Sequence, residues 1–198
     1  MTARIITLSF MALFVILRTV HAETPAPAPI GWAPFCKESP EQCTADADNA
    51  IRTVLDGAML EDLRSVNEWV NANVEPVSDD VHWGEAARTP QGYFEKWSLP
   101  TPQDMRGDCE DYAIMKRDML HAKGWPWRNL LLAVVRTRHG EGHAVLVVKV
   151  GAVELVLDDA SDEMLLRAST PYKFVKLQSQ RNPAIWVWSE SIMPGGNS

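Results

Sequence analysis

At 198 residues, 46% of them apolar and 23% charged, the chain is long enough for one domain with its own hydrophobic core. A formal net charge of −7 speaks against a nucleic-acid partner, which requires a basic face.

Residues 1–22 read as a signal peptide. Arg4 supplies a positive start, and Ile5 to Val20 is apolar apart from Thr7, Ser9, Arg18 and Thr19. Val20-His21-Ala22 then resembles a small-x-small cleavage site, followed by a Pro- and Ala-rich run. The apolar stretch from Ile5 to Leu17 is short for a membrane span of ~20 residues, and Arg18 interrupts it, so cleavage is expected rather than a retained anchor. The mature chain then has about 176 residues and a net charge of about −9, because the lost segment carries two arginines and no acids. No later segment is apolar enough to span a bilayer, and a periplasmic location is expected.

Residues 23–47 form an N-terminal segment with few signals of regular structure. It holds Cys36 and Cys43, seven positions apart around a proline. In an oxidising compartment a local disulfide is expected there, in preference to two free thiols or a metal site. That pairing leaves Cys109 odd, and an odd cysteine in an exported protein is a candidate reactive thiol.

Residues 48–198 are expected to form the main domain. Leu55, Met59, Leu63, Val66, Trp69, Val70 and Val74 fall at helical spacing. Residues 75–108, rich in Pro and Gly, predict a long irregular connector, whose Trp83, Tyr93, Phe94 and Trp97 are expected to pack on the domain. A second helix is predicted over 109–122, closed by Gly124 and Pro126. Trp125 and Trp127, flanking that proline, are candidates for an exposed partner surface. Residues 130–138, 143–150 and 153–157 are apolar, β-branched runs that predict an antiparallel meander, and 184–188 suggests one more strand. Helices before sheet is an α+β order, with the helices packed on an antiparallel β-sheet.

The chemistry converges on three residues. Cys109 opens a helix, where the positive end of the dipole and free backbone N–H groups favour a thiolate. The flanking acids Asp108, Glu110 and Asp111 oppose this, and a bound cation would offset their charge. Of the histidines outside the signal segment, His143 alone begins a strongly apolar strand. If the following turn centres on Val150–Gly151, Lys149 faces Ala152 and His143 faces Asp158. A two-residue register shift keeps both side chains on one face and sends Asp159 to the other, whereas an odd-length loop reverses this.

Gly107-Asp108-Cys109-Glu110-Asp111-Tyr112-Ala113, Gly142-His143-Ala144-Val145-Leu146 and Leu155-Val156-Leu157-Asp158 together resemble the motifs of the bacterial transglutaminase-like cysteine peptidases of the LapG type. The resemblance covers roughly residues 30–190. It implies a papain-like, transglutaminase-like core, a catalytic triad of Cys109, His143 and Asp158, and Ca²⁺ held by Asp108, Glu110 and Asp111, since clustered carboxylates are hard oxygen ligands. It also implies a protein substrate such as a large surface adhesin, and restraint by an inner-membrane receptor. Asp159 stands where the family's Leu-Asp-Asn has Asn. The same triad chemistry also serves an acyl transferase, and a calcium-responsive binding protein without catalysis is the third reading.

Overall fold

The computed structural model describes residues 23–44 and 50–189. The expected signal peptide and the expected domain start at residue 48 lie outside these residues. Four helices are described, α1 (Trp32–Glu38), α2 (Gly57–Asn73), α3 (Asp79–His82) and α4 (Cys109–Ala122). The strands are β1 (Glu75–Pro76), β2 (Arg106–Gly107), β3 (Leu130–Arg136), β4 (Gly142–Val150), β5 (Val153–Asp158), β6 (Ser161–Leu166), β7 (Lys173–Gln178) and β8 (Trp186–Trp188). β1 and β2 form a small parallel pair; the other six form an antiparallel sheet in the order β6-β5-β4-β3-β7-β8.

The apolar runs of β3, β4 and β5 are nearly continuous because both faces of the sheet are covered. Leu130, Leu132, Leu146, Val148, Leu155 and Leu157 belong to the core shared with α2 and α4. Their alternating neighbours Leu131, Ala133, Val135, Val145, Val147 and Val156 form a second cluster with Phe174, Leu177 and Val187. The α+β arrangement is therefore as the sequence predicts, with two strands of the six-stranded sheet, and the small pair β1–β2, unread beforehand. β6 is polar in its first half and mostly exposed, an edge strand without an apolar stripe, and β7 mixes lysines with Phe174 and Leu177.

Helix α2 starts where Asp56 accepts a hydrogen bond from the Met59 N–H at 2.8 Å. Helix α4 has the predicted bounds. Trp125 and Trp127 correct an expectation: they are 1% and 5% exposed, not a partner surface. Trp127 lies under the Arg117 guanidinium at 4.2 Å and stacks on His121 at 3.6 Å, and both tryptophans belong to the core between the helices and the sheet.

The N-terminal segment is more regular than its composition suggests. α1 carries Trp32 and Phe35 into the core, and Trp32, Trp97 and Trp186 meet edge to face at 5.7–5.9 Å. This cluster pins the N-terminal segment, the connector and the last strand to one another. Tyr93 in the connector stays half exposed. Cys36 and Cys43 are joined in a disulfide, and Gln42 beside it docks on α4, donating to Asp118 at 2.5 Å and accepting from Arg117. Replacing both cysteines by serine is expected to lower stability by about 2–3 kcal/mol, the entropy of freeing so short a loop. A lower urea midpoint would show this, and an unmoved midpoint would show the staple to be dispensable.

Candidate active site

Cys109 is the first residue of α4. Asp108 and Asp111 form a capping box around it, and Asp111 also accepts the Ser98 N–H at 2.7 Å. Gly107 is needed here for space: a Cβ would lie 2.5 Å from the Asp111 side chain. The motif Gly-Asp-Cys-Glu-Asp is thus a built helix entry that presents the thiol.

The β4–β5 hairpin turns on Gly151–Ala152, with Val150 opposite Val153 and Lys149 opposite Glu154. Gly151 takes a positive φ of 59° there, which its lack of a Cβ permits. This register differs by two residues from the expected one, so parity survives: His143 shares the face of Val145, and Asp158 that of Val156. His143 Nε2 lies 2.8 Å from Asp158 Oδ1. Asp159 departs from the expectation. β5 ends at Asp158, so strand alternation no longer governs the next residue, and Asp159 Oδ1 sits 3.5 Å from His143 Nε2.

The β4–β5 ladder stops at Leu146 opposite Leu157. Beyond it the Ala144 N–H is directed at the Cys109 thiol, which places the cysteine beside the strand end that carries His143. His82, His121 and His139 lie elsewhere. His82 pairs with Asp104 at 2.9 Å, His121 with the Trp125 carbonyl at 2.9 Å, and His139 is exposed in a turn.

Electrostatics separate the two members of the His–Asp pair. Burial alone would raise the Asp158 carboxyl, but hydrogen bonds from His143 and Tyr172 hold it well below the usual carboxylate range. Burial alone would lower His143, and the hydrogen bond and charge of Asp158 outweigh it, so the imidazole titrates above its ordinary value. A raised histidine stabilises the fold fully below its unfolded value and loses that contribution as pH rises through the folded one. A lowered aspartate contributes above its unfolded value and loses it as pH falls through the folded one. Both contributions coexist between about pH 4 and 6.5, the ordinary aspartate and histidine values. Asp158→Asn is therefore expected to depress the melting temperature most in that window and to drop the His143 titration measured by NMR. An unmoved His143 titration would detach Asp158 from the imidazole.

On the helix side Lys116 is fully buried, and its Nζ makes no hydrogen bond among the described residues. Burial pulls its pKa down to about 8 against the opposing charges of Asp159, Asp158 and Asp162. It is a cation placed behind two aspartates, which balances part of their charge.

The cysteine's own surroundings are acidic. Burial, then the charges of Glu110 and Asp108, push the thiol pKa up, and the thiol lies 3.3 Å from Glu110 Oε2 as a donor. The structure gathers Asp108 and Glu110 with Asp79, one ligand oxygen of each lying within 4.8 Å of the others. Asp79 and Glu110 are buried, and Asp108 Oδ1 is a buried acceptor with no hydrogen-bond partner among the described residues. Burial raises all three carboxyls, and the like charges of neighbouring acids add to it. Such oxygens fit a hard cation. Asp111, expected as a cation ligand, turns both oxygens to the backbone N–H groups of Ser98 and Asp108, and the acid that lies with Asp108 and Glu110 is Asp79. Asp79, Lys116 and Tyr172 were not singled out from the sequence. Asp79 was hidden in the Pro- and Gly-rich connector, and Tyr172 precedes an unread strand.

Ala152, Arg167, Thr170, Tyr172, Lys173 and Phe174 line a groove of about 620 Å³, which shares Tyr172 with the surroundings of Asp158. An α+β fold with a cysteine at a helix start and a paired histidine and aspartate on neighbouring strands defines a thiol enzyme of the transglutaminase-like class. The chain belongs to the bacterial transglutaminase-like cysteine proteinases (BTLCP), whose family model matches residues 22–192, and it is a cysteine peptidase. LapG of Legionella pneumophila has a similar fold, at 24% identity and a TM-score of 0.50 over 65% of this chain and 68% of that one. Its calcium-bound form aligns at 24% and 0.51 over 69% and 75%, and its EGTA-treated form at 25% and 0.52 over 69% and 70%. No curated protein sequence matches the chain.

Proposed function

We propose that the chain is an exported, calcium-dependent cysteine endopeptidase whose catalytic residues are Cys109, His143 and Asp158. The observation that carries the reading is the 2.8 Å contact between His143 Nε2 and Asp158 Oδ1 beside a thiol at the start of α4. With Nε2 committed to Asp158, Nδ1 is the ring nitrogen left to exchange a proton with the thiol. The Cys109 sulfur attacks a peptide carbonyl carbon while its proton passes to His143. The imidazolium then protonates the leaving amine as the C–N bond breaks, leaving a thioester. His143 next takes a proton from water, which attacks the thioester carbonyl and releases a carboxylate and the thiol. The backbone N–H groups at the start of α4 are suited to hold the oxyanion.

Asp79, Asp108 and Glu110 would hold Ca²⁺, with Asp111 orienting the loop around them. The ion supplies positive charge that offsets these carboxylates next to the thiol. Family membership and the calcium-bound and EGTA-treated relatives support this reading.

The substrate is an exported protein, in the LapG-type pattern a large surface adhesin cut near its N-terminus in the periplasm, with an inner-membrane receptor restraining the enzyme. Residues 1–22 as a signal peptide fit that compartment, and among the described residues no helix is long and apolar enough to cross a membrane. The test is incubation of the protein, in calcium, with N-terminal fragments of surface adhesins from its own host. A discrete cut mapped by mass spectrometry and abolished by His143→Ala is expected. Fragments left intact under all calcium concentrations would sink the adhesin assignment.

A further inference from the structure

We propose that Tyr172 is a positioning residue of the peptidase reaction, holding Asp158 in the orientation that His143 requires. The inference rests on the Cys109–His143–Asp158 reading given above. Tyr172 lies in none of the three motifs; it stands just before β7, which the sheet order places next to β3 rather than next to β5.

The Tyr172 hydroxyl donates to Asp158 Oδ2. The other oxygen, Oδ1, accepts from His143 Nε2 at 2.8 Å and from the Ala160 N–H at 3.2 Å. Each carboxylate oxygen therefore has its own donor. The terminal torsion of an aspartate is broad, so a carboxylate anchored along one edge swings easily, and a second anchor on the opposite edge fixes its plane. The tyrosine ring also lies against the imidazole, centroid to centroid 5.4 Å and inclined by 54°. One side chain thus touches both members of the pair, and its own position is set by packing on the second-face core. It is also one of the residues lining a groove of about 620 Å³.

The groups around Asp158 come from every neighbouring element. His143 faces it from β4, Tyr172 from the approach to β7, and Asp159 and the Ala160 N–H from the turn after β5. Lys116 faces it from α4, with Asp162 of β6 also near that lysine, and Cys109 is near enough to Tyr172 for their charges to interact. Among the described residues, only His143 and Tyr172 reach the carboxylate by a side-chain donor. Asp159 is a like charge beside it. Removing the hydroxyl leaves Oδ2 without a donor next to that charge, and the carboxylate is free to turn from the imidazole.

Tyr172→Phe keeps the ring and its packing and removes only the hydroxyl. In the full-length mature protein with calcium present, kcat is expected to fall roughly ten- to hundred-fold, the loss for one hydrogen bond to a charged group, with KM little changed. Alkylation of Cys109 by iodoacetamide should slow, and the low-field imidazole N–H resonance of His143 should shift. A merely structural tyrosine would change none of these. Wild-type kcat with an unshifted resonance overturns the proposal. If the Phe variant does not fold, 3-fluorotyrosine at position 172 decides. Its more acidic phenol donates more strongly to Asp158 and should move the His143 resonance upfield, and an identical resonance overturns the proposal. Asp158→Asn is run in parallel. If that variant keeps full activity, the triad reading itself falls and the role of Tyr172 falls with it. If it is inactive while Tyr172→Phe is not, only the role of Tyr172 is lost.

Discussion

Replacing Cys109 by alanine is expected to abolish peptide hydrolysis, lowering kcat/KM by at least ~10⁴-fold, while the fold and calcium binding survive. As the proposed nucleophile, Cys109 is the one group of the set for which water offers no equivalent, because the proposed thioester needs the sulfur. The change is structurally mild. Cys109 is the only cysteine outside the disulfide, and alanine is a good helix former at the start of α4. Cleavage assays on a purified exported substrate, with the melting temperature recorded alongside, check both halves of this expectation. Residual cleavage within tenfold of wild type would remove Cys109 from the mechanism.

The second large effect concerns the acidic cluster. Chelation of calcium is expected to suppress activity reversibly, because without a counter-ion burial and the charges of Glu110 and Asp108 keep the thiol protonated. Asp79→Asn should weaken calcium affinity at least tenfold by calorimetry, and should blunt the stabilisation that calcium confers, about 2.7 kcal/mol at a hundredfold excess over Kd. Asp111→Asn discriminates between the two possible ligand sets. Its oxygens bind the Ser98 and Asp108 N–H groups, so it should destabilise the protein equally with and without calcium. Affinity lost in Asp111→Asn but kept in Asp79→Asn would restore the ligand set expected from the motif alone.

Local patterns proved legible where their causes are local. A helix over residues 109–122 follows from spacing, an acidic first turn and a closing Gly124, and it is found with those bounds. The β3–β4–β5 meander follows from apolar runs broken by glycines. The pairing of His143 with Asp158 follows from the two-residue period of a strand, which tolerates the observed register shift of two. Asp159 escaped the same rule because it lies one residue past the end of β5.

The disulfide and the histidine–aspartate pairing are properties of short segments, and residue order alone carried them. The third acid of the carboxylate cluster, the buried lysine behind the aspartates and the tyrosine on Asp158 are not of that kind. Asp79 reaches Asp108 from 29 positions away, through a connector tied down by Trp97 and by the parallel pairing of β1 with β2. Tyr172 reaches Asp158 only because the chain passes from the edge strand β6 to the far side of β3. The burial of Trp125 and Trp127 likewise depends on what folds over them. Strand order and interlayer packing are set by the burial of the whole apolar surface at once, and no window of neighbouring residues records that sum.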